Sequence, residues 1–240
     1  MKGVILGIAP DARIVDLTHE VPPQAVPVGA HLLATALPFF PPGTIHVAVV
    51  DPGVGTRRRA LLVETGDAWL VGPDNGVLAL AAPVRAVRRI RDVSRSRYRR
   101  RPVSRTFHGR DVFAPIAAHL AAGVAPERLG PVLGRMLRPS ERRPRRHGGR
   151  LVGEVLWTDR FGNLVTNVSR AALGAFRGRR VSVRIGGERL PLRASYASVP
   201  AGRALAVIDS ADLLEIAVNH GSAAARLAVG RGAKVTVEPA

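Results

Sequence analysis

The sequence predicts an α/β N-terminal domain with a mainly parallel sheet, followed by a smaller, mostly β C-terminal domain. Three observations carry this. Up to residue 137, β-branched and apolar runs alternate with stretches of helical spacing, the pattern of a layered α/β sheet. From Arg138 to Arg150, "RPSERRPRRHGGR", the apolar runs stop and Pro, Gly and Arg dominate, as in a linker. Beyond it, short strand-like runs follow one another with few helices between them. The expected division is therefore 1–137, a basic linker over 138–150, and a β-rich 151–240. A chain of 240 residues suits this division and is long enough to bury a core without covalent staples.

The first segment, "MKGVILGIAP", is too short in its apolar part for a signal peptide and has no small-residue cleavage site, so it reads as part of the fold. Residues 13–17, "RIVDL", and 45–51, "IHVAVVD", read as strands, being β-branched and bounded by turn residues. Between them Pro27 to Leu37 has helical spacing and starts with proline, which suits a first turn. Residues 59–64 and 68–71 form a hairpin around Thr65-Gly66-Asp67. Residues 95–105, "RSRYRRRPVSR", read as an exposed basic loop. Asp111–Ala122 reads as a helix closed by Gly123, with Pro115 kinking it or moving its start. In the C-terminal part, 152–157, 181–185, 204–208 and 234–237 read as strands, and 221–227 as a short helix.

Composition excludes some functions. There is no cysteine, so disulfides and thiolate metal sites are ruled out. No apolar run is long enough to span a membrane, and a cytoplasmic location is expected. The net charge is +18, which raises the possibility of a nucleic-acid partner. Two facts weigh against it. All basic residues except Lys2 and Lys234 are arginine, a compositional bias, and aromatic residues make up only 4%, too few for base stacking along the basic runs.

Five stretches carry candidate chemistry. In "VVDPGVGTRRR", Asp51 stands at the end of a strand, where open α/β sheets bind ligands. The Pro52-Gly53-Val54-Gly55 turn brings Arg57 or Arg58 back towards it. The stretch lacks the Gly-Lys-Ser/Thr ending of a P-loop. "VGPDNGVL" is strong turn chemistry. In "TFHGRDVF", His108 precedes a glycine that would leave it open to a ligand, and Asp111 is placed to cap the following helix. "WTDRFGNLVTN" offers Asp159 to hold an ammonium and Asn163 to read an adenine edge. The last stretch runs from Ile208 through "DSADLLEIAVNHGSAA". Each of these has a plain alternative as a turn, a cap or a surface ion pair.

Taken in order, the five stretches resemble one family along nearly the whole chain, the S-adenosyl-L-methionine (SAM) hydrolases that form adenosine. These are also called SAM hydroxide adenosyltransferases and are related to the SAM-dependent fluorinase and chlorinase. "MKGVILGIAP-ARIVDLTHEVPPQ" fits as well. The resemblance implies cleavage of SAM at C5′ by water, giving adenosine and L-methionine, with SAM as substrate and no cofactor or metal. It places an Asp–Arg–His triad on Asp51, Arg58 and His108. It also places methionine contacts on Asp159 and Ser210, and an adenine contact on Asn163. It implies a barrel-like C-terminal domain and a homotrimer that binds SAM between one subunit's N-domain and its neighbour's C-domain.

The chain departs from the pattern in two places. Family members carry a strand with a Thr-Asp-Phe-Gly-like motif ahead of the segment that starts here at Met1, and that strand holds the ribose hydroxyls. On this ground the chain as it stands is expected to bind SAM weakly, and a catalytically impaired SAM- or adenosine-binding protein is the alternative function. Asp212 stands where the family commonly has glycine, which puts a tight turn there in question.

Overall fold

The computed structural model describes residues 1–139 and 143–240 and divides into two compact units, Met1–Pro139 and Ser140–Ala240. The N-terminal unit contains, in order, α1 (Lys2–Ile8), α2 (Val26–Ala36), β1 (Thr44–Val47), β2 (Ala60–Thr65), β3 (Ala68–Pro73), β4 (Val87–Asp92), α3 (Ala114–Ala121), α4 (Pro126–Leu129) and β5 (Val132–Leu133). Its sheet runs β1-β3-β2-β4-β5. Successive residues of β2 point to opposite faces, so Leu61 and Val63 join Leu33 of α2 and Leu70 on one side. Leu62 joins Val112, Phe113 and Ile116, around the start of α3, on the other. Phe113 and Ile116 are fully buried. A side chain of that size contributes on the order of 1.5–3 kcal/mol when removed from water.

The sheet is mixed, which corrects the expectation of a mainly parallel one. Only β1 and β3 pair in parallel; β2–β3, β2–β4 and β4–β5 are antiparallel. The cause is the tight Gly66-Asp67 connection. A hairpin of that length cannot cross over, so its strands must run antiparallel.

Residues 13–17 form no strand, against expectation, and Val15 and Leu17 are exposed. Strand composition alone is not enough, because the backbone groups of a strand need a neighbour to pair with. The run from 45 to 51 is regular strand only as far as Val47, although Ala48 N–H still donates to Val71 O at 3.0 Å. The helix expected at 27–37 and the hairpin over 59–71 are present. The helix expected at 111–122 begins later. Gly109–Phe113 forms one π-helical turn, and α3 follows with Pro115 in its first turn. Gly123 closes it at φ +85°.

The C-terminal unit contains β6 (Arg145–His147), β7 (Arg150–Thr158), β8 (Leu164–Ser169), α5 (Arg170–Leu173), β9 (Val181–Ile185), β10 (Glu188–Pro191), β11 (Ala204–Ile208), β12 (Leu213–Val218), α6 (Ala223–Leu227) and β13 (Lys234–Pro239). The antiparallel order is β10-β9-β13-β7-β8-β12-β11, with β6 on β7. Leu192, just past β10, bridges Ala206 on β11. Arg193 N–H also donates to Ala206 O at 2.8 Å. These contacts bring the two ends of the sheet together into a nearly closed barrel, which hides the edge strands. Val155, Leu164, Val183, Leu214, Ile216 and Val235 fill its interior. Among the described residues, no helix is long and apolar enough to cross a membrane.

Candidate active site

In the N-terminal unit, β1 leads the chain towards Asp51 beside β3. Two contacts fix the approach. Asn75 Nδ2 donates to Val50 O at 2.8 Å while its Oδ1 accepts from Val77 N–H. Gly29 of α2 lies so close to the Val50 side chain that a Cβ there would collide with it. The turn after Asp51 is closed by Val54 N–H donating to Asp51 O and by Thr56 donating to Gly53 O from both its amide and its hydroxyl. Gly55 adopts φ +79°, a conformation that favours glycine.

The reversal brings back Arg58, while Arg57 is exposed. Arg58 Nε donates to Asp51 Oδ1 at 2.8 Å, and Arg58 Nη2 donates to Asp51 Oδ2. The same Nη2 lies 2.8 Å from His108 Nδ1. The side chains of Arg58 and Asp51 are only 10% and 6% exposed, so the pair is shielded from solvent screening. The guanidinium also stacks 5.2 Å above the Phe113 ring. The structure therefore brings Asp51, Arg58 and His108 into contact, with Arg58 in the middle.

This geometry fixes the state of the histidine. A guanidinium can only donate, so His108 Nδ1 is the acceptor and the proton of the neutral ring sits on Nε2. Burial and the neighbouring Arg58 hold the His108 pKa below its ordinary value, against the upward pull of Asp51. The imidazole is neutral at neutral pH.

The π-helical turn sets where His108 emerges. Such turns are rare and are often found at functional sites. Asp111 does not cap α3, as the sequence suggested. Its fully buried carboxylate instead accepts from Arg110 Nε and Nη2 at 2.7 and 2.8 Å and from Ser104 N–H at 2.9 Å. The Arg110 hydrogen bonds keep its pKa low, at about 2. Asp111 thus ties the loop before His108 to the turn after it. Gly109 is buried, and the space a side chain would take is filled by Met1 and Phe107. "VGPDNG" is structural: Asp74 accepts from Arg59 Nε at 2.8 Å and from Leu137 N–H at 2.7 Å. A cavity of about 290 Å³ lies beside Val49 and Val50, walled by Leu17, Pro22 and Leu32.

In the C-terminal unit, the candidate substrate contacts lie on two turns of matching design. In the β7–β8 turn, Asp159 Oδ1 accepts from Phe161 N–H and Asn163 N–H, and Gly162 takes φ +84°. In the β11–β12 turn, Asp209 Oδ1 accepts from Ala211 N–H and Leu213 N–H, and Asp212 takes φ +60°. Strands β8 and β12 are neighbours. Asp159 and Asn163 thus share one turn and Ser210 is exposed on the other. Asp212, where the resemblance led to the expectation of glycine, still makes the tight turn, because aspartate tolerates the left-handed region better than most residues. Asn163 is buried and donates from Nδ2 to Asp159 Oδ2 at 3.1 Å. Gly162 packs directly against Ser222, whose hydroxyl caps α6 by accepting from Ala225 N–H.

Sequence reasoning missed one pair here. Glu215, on β12, is buried, and Tyr196 O–H donates to its Oε1 at 2.8 Å. A single glutamate inside "LLEIAV" is the signal that could have found it. Among the described residues, no cluster of histidine and carboxylates has a metal-holding arrangement.

Comparison with known proteins agrees along the whole chain. The SAM hydroxide adenosyltransferase N-terminal domain family matches residues 1–130, and the corresponding C-terminal domain family matches 153–236. The chain is similar to a protein of Thermus thermophilus named (R)-S-adenosyl-L-methionine hydrolase, at 43% identity over 98% of this chain and 91% of the relative. A Salinispora arenicola protein of the same name is 41% identical over 98% and 90%. A fluorinase of Nocardia brasiliensis is 28% identical over 99% and 90%. Among solved structures, an uncharacterized conserved protein of Thermotoga maritima superimposes with a TM-score of 0.89 at 39% identity, covering 99% of this chain and 93% of that one. With both domains matched and hydrolase relatives above 40% identity, the chain belongs to the SAM hydroxide adenosyltransferase family.

Proposed function

We propose that the protein hydrolyses SAM at C5′, with Asp51, Arg58 and His108 as its catalytic residues. Water forms a bond to C5′ as the C5′–S bond breaks, the sulfur leaves as the neutral thioether of L-methionine, and the water loses one proton. The observation that carries this reading is the shielded contact of Arg58 with both Asp51 and His108. Asp51 accepts the proton of the water as the new bond forms. Arg58 orients the carboxylate and offsets charge that develops beside it. His108, holding its proton on Nε2, donates to the water oxygen and leaves one lone pair directed at carbon. A thioether needs no acid to leave, so holding the water in line supplies much of the rate. No cofactor or metal enters the proposed reaction.

Asp159 and Ser210 hold the methionine end of SAM. Asn163 faces adenine, with its Oδ1 and the second hydrogen of Nδ2 left for the contact once Nδ2 has donated to Asp159. The proposed assembly is a cytoplasmic homotrimer in which SAM lies between the N-domain of one subunit and the C-domain of its neighbour. The names of the hydrolase relatives specify the (R) epimer at sulfur. In a site that grips both ends of the molecule, inverting the sulfonium puts the methyl group where the lone pair was, so the two epimers should differ in rate.

The test is incubation with each epimer in the presence of a chelator, with products separated by chromatography. The expected result is adenosine and methionine in equal amounts, faster from the (R) epimer. No adenosine from either epimer, or a product that forms only with added halide, contradicts the proposal.

A further inference from the structure

Glu215 is a buried acid with an unusual environment. It lies on β12 opposite Val165 of β8 and Val207 of β11, so both flanking strands present apolar side chains at its level. Its residue is only 5% exposed. It accepts a hydrogen bond from Tyr196, a residue 45% exposed. Glu215 lies on the face of β12 opposite to Leu214 and Ile216, and Tyr196 lies over it. The carboxylates that act on it belong to the two matching turns, Asp159 on the β7–β8 turn and Asp209 on the β11–β12 turn. All three are acids. Burial, with these two carboxylates, raises the Glu215 pKa to about 7, against the downward pull of the Tyr196 hydrogen bond. Burial and Glu215 together push Tyr196 up to about 12, so it stays a donor.

Below about pH 7 a buried carboxyl in this setting holds its proton, and a nearby cation favours its release. Resting on the proposed function, we propose that Glu215, acting through Tyr196, is a positioning residue that sets the grip on the ammonium end of SAM. When the ammonium docks beside Asp159, its charge makes ionised Glu215 favourable. The carboxyl then releases its proton to solvent, and the carboxylate accepts a stronger hydrogen bond from Tyr196. Tyr196 is thereby fixed as one wall of the subsite. Glu215 touches neither C5′ nor the water, so the effect belongs to binding and not to the chemical step.

The consequence is a proton-linked affinity. Below pH 7 the pair must lose a proton to bind SAM, so KM is high. As pH rises through 7 the proton is already gone and KM falls. In Glu215→Gln this linkage is absent.

The experiment measures kcat and KM for SAM between pH 6 and pH 8.5 for the wild type, Glu215→Gln and Tyr196→Phe. A SAM analogue lacking the α-amino group is measured in parallel. The expected result for Glu215→Gln is a KM for SAM raised about tenfold at pH 8, with kcat within a few-fold of the wild type and a flattened pH dependence of KM. Tyr196→Phe, a change on a half-exposed ring, should raise KM in the same direction. The analogue should show little difference between wild type and variants. An unchanged KM in both variants overturns the proposal, as does an equal rise for SAM and the analogue, which would mean a merely structural role. Calorimetric titration of SAM into each protein makes the same comparison without turnover. A wild type that hydrolyses SAM while the variants behave like it defeats only this inference. A wild type that neither binds nor hydrolyses SAM defeats the proposed function as well.

Discussion

Replacing Asp51 by asparagine lowers kcat for SAM by roughly 10³-fold while KM changes little. Asparagine has nearly the shape of aspartate but carries no charge and presents an N–H₂ where Arg58 Nη2 now finds Asp51 Oδ2. Two donors then face each other, and the guanidinium loses one of the two bonds that aim it. Because Nη2 is also the group that contacts His108, the imidazole loses its fixed tautomer in the same step. The site is shielded, with Asp51 6% and Arg58 10% exposed, so water cannot fully replace the lost partner, and some stability is lost too. Steady-state kinetics together with thermal unfolding separates the two effects. A variant that remains folded at the assay temperature and keeps kcat within a few-fold of the parent would show that Asp51 only closes a turn.

The second large effect comes from a residue that touches no substrate. Gly55→Ala is expected to destabilise the N-terminal unit by about 3 kcal/mol and to cut turnover. Two costs add. Alanine pays on the order of 1–2 kcal/mol at a positive φ, and Gly55 holds φ +79°. The new Cβ also runs into the carbonyl of Arg105, and overpacking of this kind costs roughly 1–3 kcal/mol. The backbone must yield on one side or the other. One side is the turn that returns Arg58, and the other is the loop that leads to His108. Denaturant unfolding and kcat of the purified variant check this. An unfolding midpoint and rate like those of the parent would mean that the two segments are not held in register by this contact.

Local chemistry made part of the fold readable. The hairpin at Gly66-Asp67, the proline-led helix α2, the exact span of β9 and β11, and the short helix after Gly221 all announce themselves by turn residues or alternation. Strands β4, β8 and β12 were hidden for separate reasons. In β4, "VRRIRD", exposed Arg88 and Arg89 mask the apolar alternation. In β8, Thr166 and Asn167 resemble site chemistry, yet Thr166 is buried and donates to Leu214 O at 2.7 Å. In β12 the charged Glu215 interrupts an apolar run, on the face opposite to Leu214 and Ile216, which fill the barrel. Residues 13–17 erred the other way, with strand composition but no partner strand.

The site was readable to different depths. The return of Arg58 to Asp51, seven positions earlier, follows from a turn that contains Gly53 and Gly55. The arrival of His108 on the same guanidinium spans 50 residues, and only the order of the motifs suggested it. The Tyr196–Glu215 pair joins a loop to a strand across 19 residues, with no local pattern to reveal it.

The central claim is that water, and not a halide or a protein nucleophile, attacks C5′ of SAM. The direct measurement is a single reaction in oxygen-18 water, with adenosine and methionine examined by mass spectrometry. The account predicts one labelled oxygen in adenosine, at the 5′ position, and none in methionine. Unlabelled adenosine, or label in methionine, would contradict it.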